Sequence, residues 1–76
     1  MRAMNLGKNI ELLRKNFGVT QEELAMKLGL SRQAIYKWEK DKATPTIENI
    51  MKICELFDLD INDFLKGKIN KRKAKK

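Results

Sequence analysis

The 76-residue sequence predicts an all-α domain of five short helices. Residues that cap helix N-termini stand directly before segments whose apolar residues recur at helical spacing. A glycine follows one of these segments where a helix would end. The hydrophobic content of 42% provides for one core, close to the lower size limit for independent folding, so we expect dimerisation to support the domain. The four capping residues are Thr20, Ser31, Thr46 and Asp60.

The first predicted helix extends from about Asn5 to Asn16, and residues 1–4 form a leader without a pattern. Its apolar residues recur at i, i+4, i+7 and i+11 on one narrow stripe. Arg14 flanks this stripe and is either an exposed cation or one member of a partly buried ion pair. The stripe consists of Leu6, Ile10, Leu13 and Phe17.

The second predicted helix, Gln21 to Leu28, begins with a capping box, in which Thr20 and Glu23 each satisfy a free backbone N–H group. Gly29 ends the helix, because a residue without Cβ adopts a left-handed conformation at little steric cost. Gln21 lies in the first turn. It is either a solvated residue or a phosphate contact, since the N–H groups and the dipole at this end attract anions.

The third predicted helix begins after the cap Ser31 and divides into two faces at about 100° per residue. The apolar face would enter a core, whereas the polar face would meet a partner. Arg32 and Gln33 lie in the first turn, and their side chains are able to make paired hydrogen bonds to guanine and adenine in the major groove. The apolar face consists of Ala34, Ile35 and Trp38, and the polar face of Arg32, Gln33, Tyr36, Lys37 and Lys40.

The two aromatic residues of this helix have different environments. Trp38 shares its arc with Ile35 and is predicted to lie in the core, although a tryptophan can also stack on a nucleobase. Tyr36 lies on the polar face, where two interpretations stand. It contacts a phosphate or a thymine methyl group, or it is an ordinary surface residue.

The fourth and fifth predicted helices extend from Ile47 to Phe57 and from Ile61 to Leu65. Lys40 and Lys42, in the preceding connection, are either solvated lysines or phosphate contacts, since cations beside a helix in the major groove position it. A domain of this size does not easily bury every apolar residue of its last two helices, which indicates a surface for self-association. The surplus residues are Met51, Leu56, Ile61 and Leu65.

The net charge of +7 is unevenly distributed. Residues 66–76 contain seven Lys or Arg and no acid, whereas residues 1–65 contain ten basic and ten acidic residues. Residues 1–42 carry a charge of +4 and residues 43–65 a charge of −4, which would orient the domain in the field of a polyanion. We expect residues 66–76 to be a disordered basic tail, or an arm that binds DNA without sequence preference.

The composition excludes several classes of function. One cysteine excludes an intramolecular disulfide, and the absence of histidine excludes a zinc finger and a histidine-dependent active site. Because no nucleophile is paired with a base, we expect no enzymatic activity, and we expect no metal or other cofactor. No apolar run approaches the roughly 20 residues that span a membrane, so we expect a cytoplasmic protein without a membrane partner.

These residues together resemble a known family. The stretch from residue 20 to 65, TQEELAMKLGLSRQAIYKWEKDKATPTIENIMKICELFDLDINDFL, is similar to the helix-turn-helix domain of the Xre family, which includes the lambda and Cro-type phage repressors. The likeness covers residues 5–65, nearly the whole chain. It implies a compact, five-helix, lambda-repressor-like DNA-binding domain whose helix-turn-helix motif comprises the second and third helices.

The resemblance also implies roles for single residues. In this family, the residue matching Gln21 contacts a DNA phosphate, and residues matching Arg32, Gln33 and Lys37 commonly reach bases. An arginine and a glutamate in the positions of Arg14 and Glu39 form a structural ion pair. We add Tyr36 as a possible base contact, and Lys40 and Lys42 as phosphate contacts. Asp41 and Asp58 depart from the family, which often has glycine there, so we expect those helix ends to be strained or differently shaped.

The expected function is that of a sequence-specific regulator of transcription, a repressor, which binds double-stranded DNA through its third helix. We expect a homodimer and an operator that is an inverted repeat. The alternative is an antitoxin or another protein-interaction module of the same fold, which would bind a partner protein through its C-terminal helices.

Overall fold

The computed structural model describes residues 5–69, which form five α-helices joined by short turns and contain no strand. The prediction of an all-α, five-helix domain is confirmed, and each helix boundary lies within one residue of its predicted position. No described helix is long and apolar enough to cross a membrane. The helices are α1 (Leu6–Asn16), α2 (Gln21–Leu28), α3 (Arg32–Glu39), α4 (Ile47–Leu56) and α5 (Ile61–Leu65).

Every predicted capping residue accepts a hydrogen bond from the first turn of its helix. Thr20 Oγ1 accepts from the N–H group of Glu23 at 3.0 Å, and the Glu23 carboxylate accepts from the N–H group of Thr20 at 2.9 Å. These two bonds complete the predicted capping box and satisfy donors that have no partner within the helix. The remaining caps are Asn5 on α1, Ser31 on α3, Thr46 on α4 and Asp60 on α5.

Each helix is followed by a residue in the left-handed conformation, and the backbone bonds there close a Schellman motif. Two of these residues are aspartates, Asp41 with φ 61° and Asp58 with φ 53°. After α3, the N–H group of Lys42 donates to the carbonyl oxygen of Lys37 at 2.8 Å. These two helix ends therefore have the same shape as those that end at glycine. The left-handed conformation still costs an aspartate about 1 kcal/mol. The glycines in this role are Gly18, Gly29 and Gly67.

The core contains apolar side chains from all five helices. Ile35 and Trp38 carry the inner face of α3 into it, with exposed fractions of 0% and 6%, so the predicted core position of Trp38 is confirmed. Cys54 is buried as well, and this burial raises the pKa of its thiol, with a further contribution from the charge of Asp60. The core residues are Ile10, Leu13, Leu24, Ala25, Leu28, Ile35, Trp38, Ile50, Ile53, Cys54, Phe57, Phe64 and Ile69.

α1 approaches the end of α3 closely at Gly7. A Cβ atom on this residue would overlap the backbone carbonyl oxygen of Trp38 and would lie 2.8 Å from Oδ1 of Asp41. The two helices therefore approach as they do because residue 7 has no side chain. Sequence reasoning missed this position, since Gly7 lies inside a helix rather than at a turn.

The fold extends past residue 65, the predicted end of the domain. Ile69, which the sequence analysis assigned to the basic tail, is 7% exposed and belongs to the core. Asn16 of α1 holds this segment, since its Nδ2 donates to the carbonyl oxygen of Ile69 at 2.7 Å. Asn9 of α1 holds the preceding helix, α5, because its Nδ2 donates to the carbonyl oxygen of Phe64 at 2.8 Å. Residues 66–69 are thus part of the fold, whereas the predicted leader, 1–4, and the rest of the predicted tail, 70–76, lie outside the described residues.

The surplus of apolar side chains is concentrated on α4. Met51 and Leu56 are 56% and 42% exposed, and Ile47, one turn before Met51, is 60% exposed. Ile61 and Leu65 are only partly exposed, because they pack against the core. An exposed apolar surface therefore remains on α4.

We predict that Gly7→Ala lowers the free energy of unfolding by about 2 kcal/mol, because the added methyl group displaces α1 from the backbone of α3. Urea unfolding followed by circular dichroism measures the change. Gly18→Ala is the matched control: its Cβ would meet no atom within 4 Å, so only the strain of a left-handed alanine, about 1 kcal/mol, is added. A Gly7→Ala variant as stable as the wild type would contradict the close approach.

Candidate nucleic-acid interface

α3 presents one continuous polar face to solvent. Its opposite face is fixed in the core by Ile35 and Trp38, so the helix cannot rotate without exposing them. The polar side chains therefore point away from the domain as a set, over about two helical turns. All five residues predicted for this face are exposed: Arg32, Gln33, Tyr36, Lys37 and Lys40.

An ion pair between Arg14 of α1 and Glu39 of α3 fixes the last turn of this helix. Arg14 Nε donates to Glu39 Oε2 at 2.7 Å, and Arg14 Nη2 donates to Glu39 Oε1 at 3.1 Å. The side chains are 12% and 3% exposed. A planar guanidinium and a carboxylate that meet through two parallel bonds have one relative orientation, so the pair sets the angle between α1 and α3 as well as their distance.

Arg14 makes a third hydrogen bond. Its Nη1 donates to the carbonyl oxygen of Val19 at 2.9 Å, which ties the turn between α1 and α2 to the same side chain. The hydrogen bond to Glu39 raises the pKa of Arg14, against the opposing effect of burial. The guanidinium is therefore charged and well bonded in its partly buried site.

Gln21 extends this network to the exposed face of α3. Its Nε2 donates to Glu39 Oε1 at 3.0 Å, and its Oε1 accepts from Arg32 Nη1 at 3.2 Å. A chain of hydrogen bonds thus runs from Arg14 through Glu39 and Gln21 to Arg32. Sequence reasoning offered Gln21 as a solvated residue or a phosphate contact and missed its role between helices, because both partners are distant in sequence. The amide keeps one N–H donor for an anion.

Lys40, directly after α3, lies over an aromatic ring of the same helix. Lys40 Nζ is 5.9 Å from the centre of the Tyr36 ring, a distance at which a cation is attracted to the π face. Tyr36 is 40% exposed. Lys42, one residue after the left-handed Asp41, is exposed at the same end of the helix. The candidate interface therefore combines bidentate donors at the start of α3 with single cations at its end.

The chemistry of this surface is that of hydrogen bonding and charge. Among residues 5–69, no three His, Cys, Asp or Glu side chains come together as a group that could hold a metal ion. The start of α3 offers planar donors suited to base edges, and the lysines offer mobile point charges suited to phosphates.

The chain is similar to known proteins over most of its length. The Helix-turn-helix family model matches residues 10–64. The HTH-type transcriptional activator BcrR of Enterococcus faecalis is 38% identical over 64 residues, 84% of this chain and 31% of BcrR. The antitoxin PezA of Streptococcus pneumoniae serotype 4 is 35% identical over 60 residues, 79% of this chain and 38% of PezA. The chain therefore spans about a third of the length of these two relatives.

A solved repressor has the same fold. The solution structure of the DNA-binding domain of the P22 c2 repressor matches with a TM-score of 0.80 and 26% identity, and covers 96% of both chains. The same repressor in complex with a synthetic operator matches with a TM-score of 0.72 and 27% identity, covering 88% of this chain and 98% of the repressor chain. The arrangement of all five helices is thus shared with a protein that has been seen on DNA.

We predict that Glu39→Gln destabilises the domain by about 3 kcal/mol, because it leaves the guanidinium of Arg14 partly buried without its counter-charge. The double variant Arg14→Met with Glu39→Met should lose less than the two single substitutions together, since no unpaired charge remains. Thermal and urea unfolding of the wild type, Glu39→Gln, the two single methionine variants and the double variant measure these differences.

A matched control uses the exposed pair of α1, in which Glu11 Oε2 and Lys15 Nζ are 3.0 Å apart. Glu11→Gln should cost at most about 0.5 kcal/mol, because an exposed pair one turn apart contributes little. A loss in Glu39→Gln no larger than in Glu11→Gln would show that the Arg14–Glu39 pair does not anchor α3.

Proposed function

The chain belongs to the helix-turn-helix family, as its resemblance to Xre-type repressors predicts, and we propose that it is a sequence-specific regulator of transcription that binds double-stranded DNA as a repressor. The observation that carries the proposal is the exposed face of α3, held in one orientation by the core and by the Arg14–Glu39 pair. A helix fixed in this way presents the same donors to every DNA site, which sequence-specific binding requires.

α3 enters the major groove with its N-terminal turn toward the base edges. We assign base contacts to Arg32, Gln33 and Lys37, with Tyr36 as a fourth. Arg32 suits the O6 and N7 acceptors of guanine, and Gln33 the N6 and N7 groups of adenine. The bond from Arg32 to Gln21 limits the orientations of its guanidinium before DNA arrives, so less conformational entropy is lost on binding.

Phosphate contacts surround the base contacts. Gln21 stands at the start of α2, where its free N–H donor and the helix dipole favour an anion. Lys40 and Lys42 stand at the other end of α3, so phosphates on the two sides of the groove would hold the helix in register. These contacts add affinity for any duplex, and base contacts add the preference among sequences.

We propose that the protein acts as a homodimer. Ile47 and Met51 form an exposed apolar strip one turn apart on α4, on a segment whose net charge is negative and which DNA would therefore repel. Two copies related by a two-fold axis would place their α3 helices about 34 Å apart, one turn of DNA. The operator would then be an inverted repeat.

The second candidate is an antitoxin-like module, favoured by the likeness to PezA and by the exposed apolar residues of the C-terminal half. This chain would bind a partner protein through α4 and α5 and DNA through α3. Copurification of one small protein in fixed stoichiometry would support it. Under both proposals the chain acts by binding and without catalysis. Because it binds DNA under both, we propose a cytoplasmic location.

The first test is selection of binding sites from a random duplex library at near-physiological salt, because low salt inflates nonspecific binding. We expect a short inverted repeat.

With the selected site as the reference duplex, Gln33→Ala should change the preference at one or two base positions. The loss of discrimination should be about 1–3 kcal/mol, because a paired contact to a base is lost. Lys42→Ala should weaken all duplexes similarly; the reverse pattern would contradict these assignments.

The dimer is tested by sedimentation of Met51→Asp. A carboxylate in the apolar strip should shift the protein toward monomer. Operator affinity should fall by at least about tenfold, since a monomer lacks the second α3 helix that binds the other half-site. Met26→Asp is the control, because Met26 is 75% exposed on α2 and lies outside the strip. A Met51→Asp variant that dimerises as the wild type does would exclude this surface.

A further inference from the structure

The seam between α1 and α3 carries a group of charged side chains, of which the assignments above use only Lys40. Gly7 brings the first turn of α1 against the carbonyl oxygens at the end of α3. Past Gly7, α1 carries three charged residues at i, i+3 and i+7 spacing, and Glu39, whose carbonyl oxygen lies against Gly7, directly precedes Lys40 in the chain. We call this group the α1–α3 edge; it consists of Lys8, Glu11, Lys15 and Lys40.

The charges of three cations act on one carboxylate of this edge. Glu11 Oε2 lies 3.0 Å from Lys15 Nζ, and this bond is the main cause of a lowered pKa of Glu11. The charges of Lys8 and Lys40 lower the same pKa from a greater distance, so these two lysines lie within electrostatic reach of one carboxylate. The direct bond goes to Lys15, and the edge as a whole remains cationic.

Lys40 connects this edge to the DNA-facing surface. Its Nζ lies over the Tyr36 ring, on the same polar face of α3 as Gln33 and Lys37. A phosphate that reaches Lys40 would therefore also lie within the field of Lys8, on the neighbouring helix. The negative charge of Glu11, on which both lysines act, opposes the approach of an anion.

We propose that Lys8 is a further phosphate contact and that the α1–α3 edge follows the DNA backbone past the end of α3, with Glu11 limiting its affinity. The proposal rests on the proposed DNA-binding function and adds a residue from a helix outside the helix-turn-helix motif. Contacts of this kind carry no sequence information, since phosphates are the same at every step. They set how strongly the protein binds any duplex, and how steeply binding falls with salt.

The test measures dissociation constants over a range of salt concentrations, for the selected inverted repeat and for a shuffled duplex of the same composition. Lys8→Gln should weaken binding to both duplexes by the same factor and should make the slope of log K against log[salt] shallower by about 0.9, the value for one phosphate contact. Glu11→Gln should tighten binding to both by about twofold, because a nearby negative charge is removed.

Lys52→Gln is the matched control, since Lys52 is an exposed lysine of α4, away from the seam. It should leave the slope unchanged, and thermal midpoints should show all variants folded. A slope for Lys8→Gln equal to that for Lys52→Gln would overturn the proposal, as would a Glu11→Gln variant that binds no more tightly than the wild type.

Failure of the two proposals can be distinguished. A wild-type protein that binds both duplexes equally would overturn sequence-specific regulation, while the slopes of the variants would still decide the role of the α1–α3 edge. If the wild type prefers the inverted repeat and Lys8→Gln has the same salt slope as the wild type, only the proposed role of the α1–α3 edge is overturned. A wild type that binds neither duplex would overturn both.

Discussion

The Arg14–Glu39 ion pair is the interaction on which the interface depends. Glu39 is 3% exposed, so its charge is removed from water and must be compensated by fixed partners. Arg14 supplies two bonds and Gln21 a third. Because these donors come from α1 and α2, a single carboxylate ties three helices together at the base of α3. The Arg14–Glu39 pair therefore fixes the direction of α3, because separating the two side chains would leave a buried charge without its partner.

The helix ends contribute a second constraint. All five helices are followed by left-handed residues, so each turn is short and the helices change direction within a few residues. Aspartate takes this conformation less readily than glycine, but Asp41 offers a compensation that glycine lacks. Its carboxylate lies beside Gly7, in the first turn of α1, which contains no acidic residue of its own. A negative charge there is favoured by the helix dipole. The strain at Asp41 is thereby offset by its charge.

The sequence predicts what depends on neighbours in the chain and misses what depends on approach between helices. Caps, helix lengths and the inner face of α3 follow from spacings of three to seven residues, and all of them are confirmed. Gly7, the bonds of Gln21 and the burial of Ile69 have no local signal. Ile69 is the clearest case: it lies among lysines and glycine, yet its side chain is buried and its carbonyl oxygen accepts a hydrogen bond from Asn16 of α1. The arc of α3 likewise predicts which side chains are exposed, but which of them contact bases depends on the docking angle.

The division of charge explains how so small a domain could separate the polar face of α3 from the exposed apolar residues of α4. Residues 1–65 are neutral as a whole, with ten basic and ten acidic residues, so affinity for a polyanion cannot come from net charge in this part of the chain. It must come from the separation of charge, positive in the half with α3 and negative in the half with α4 and α5. The same separation would turn the exposed apolar residues of α4 away from DNA, as the proposed contact with a second copy or a partner requires. A polyanion that attracts one half and repels the other therefore orients the domain before any base is contacted, and leaves the apolar strip free for assembly.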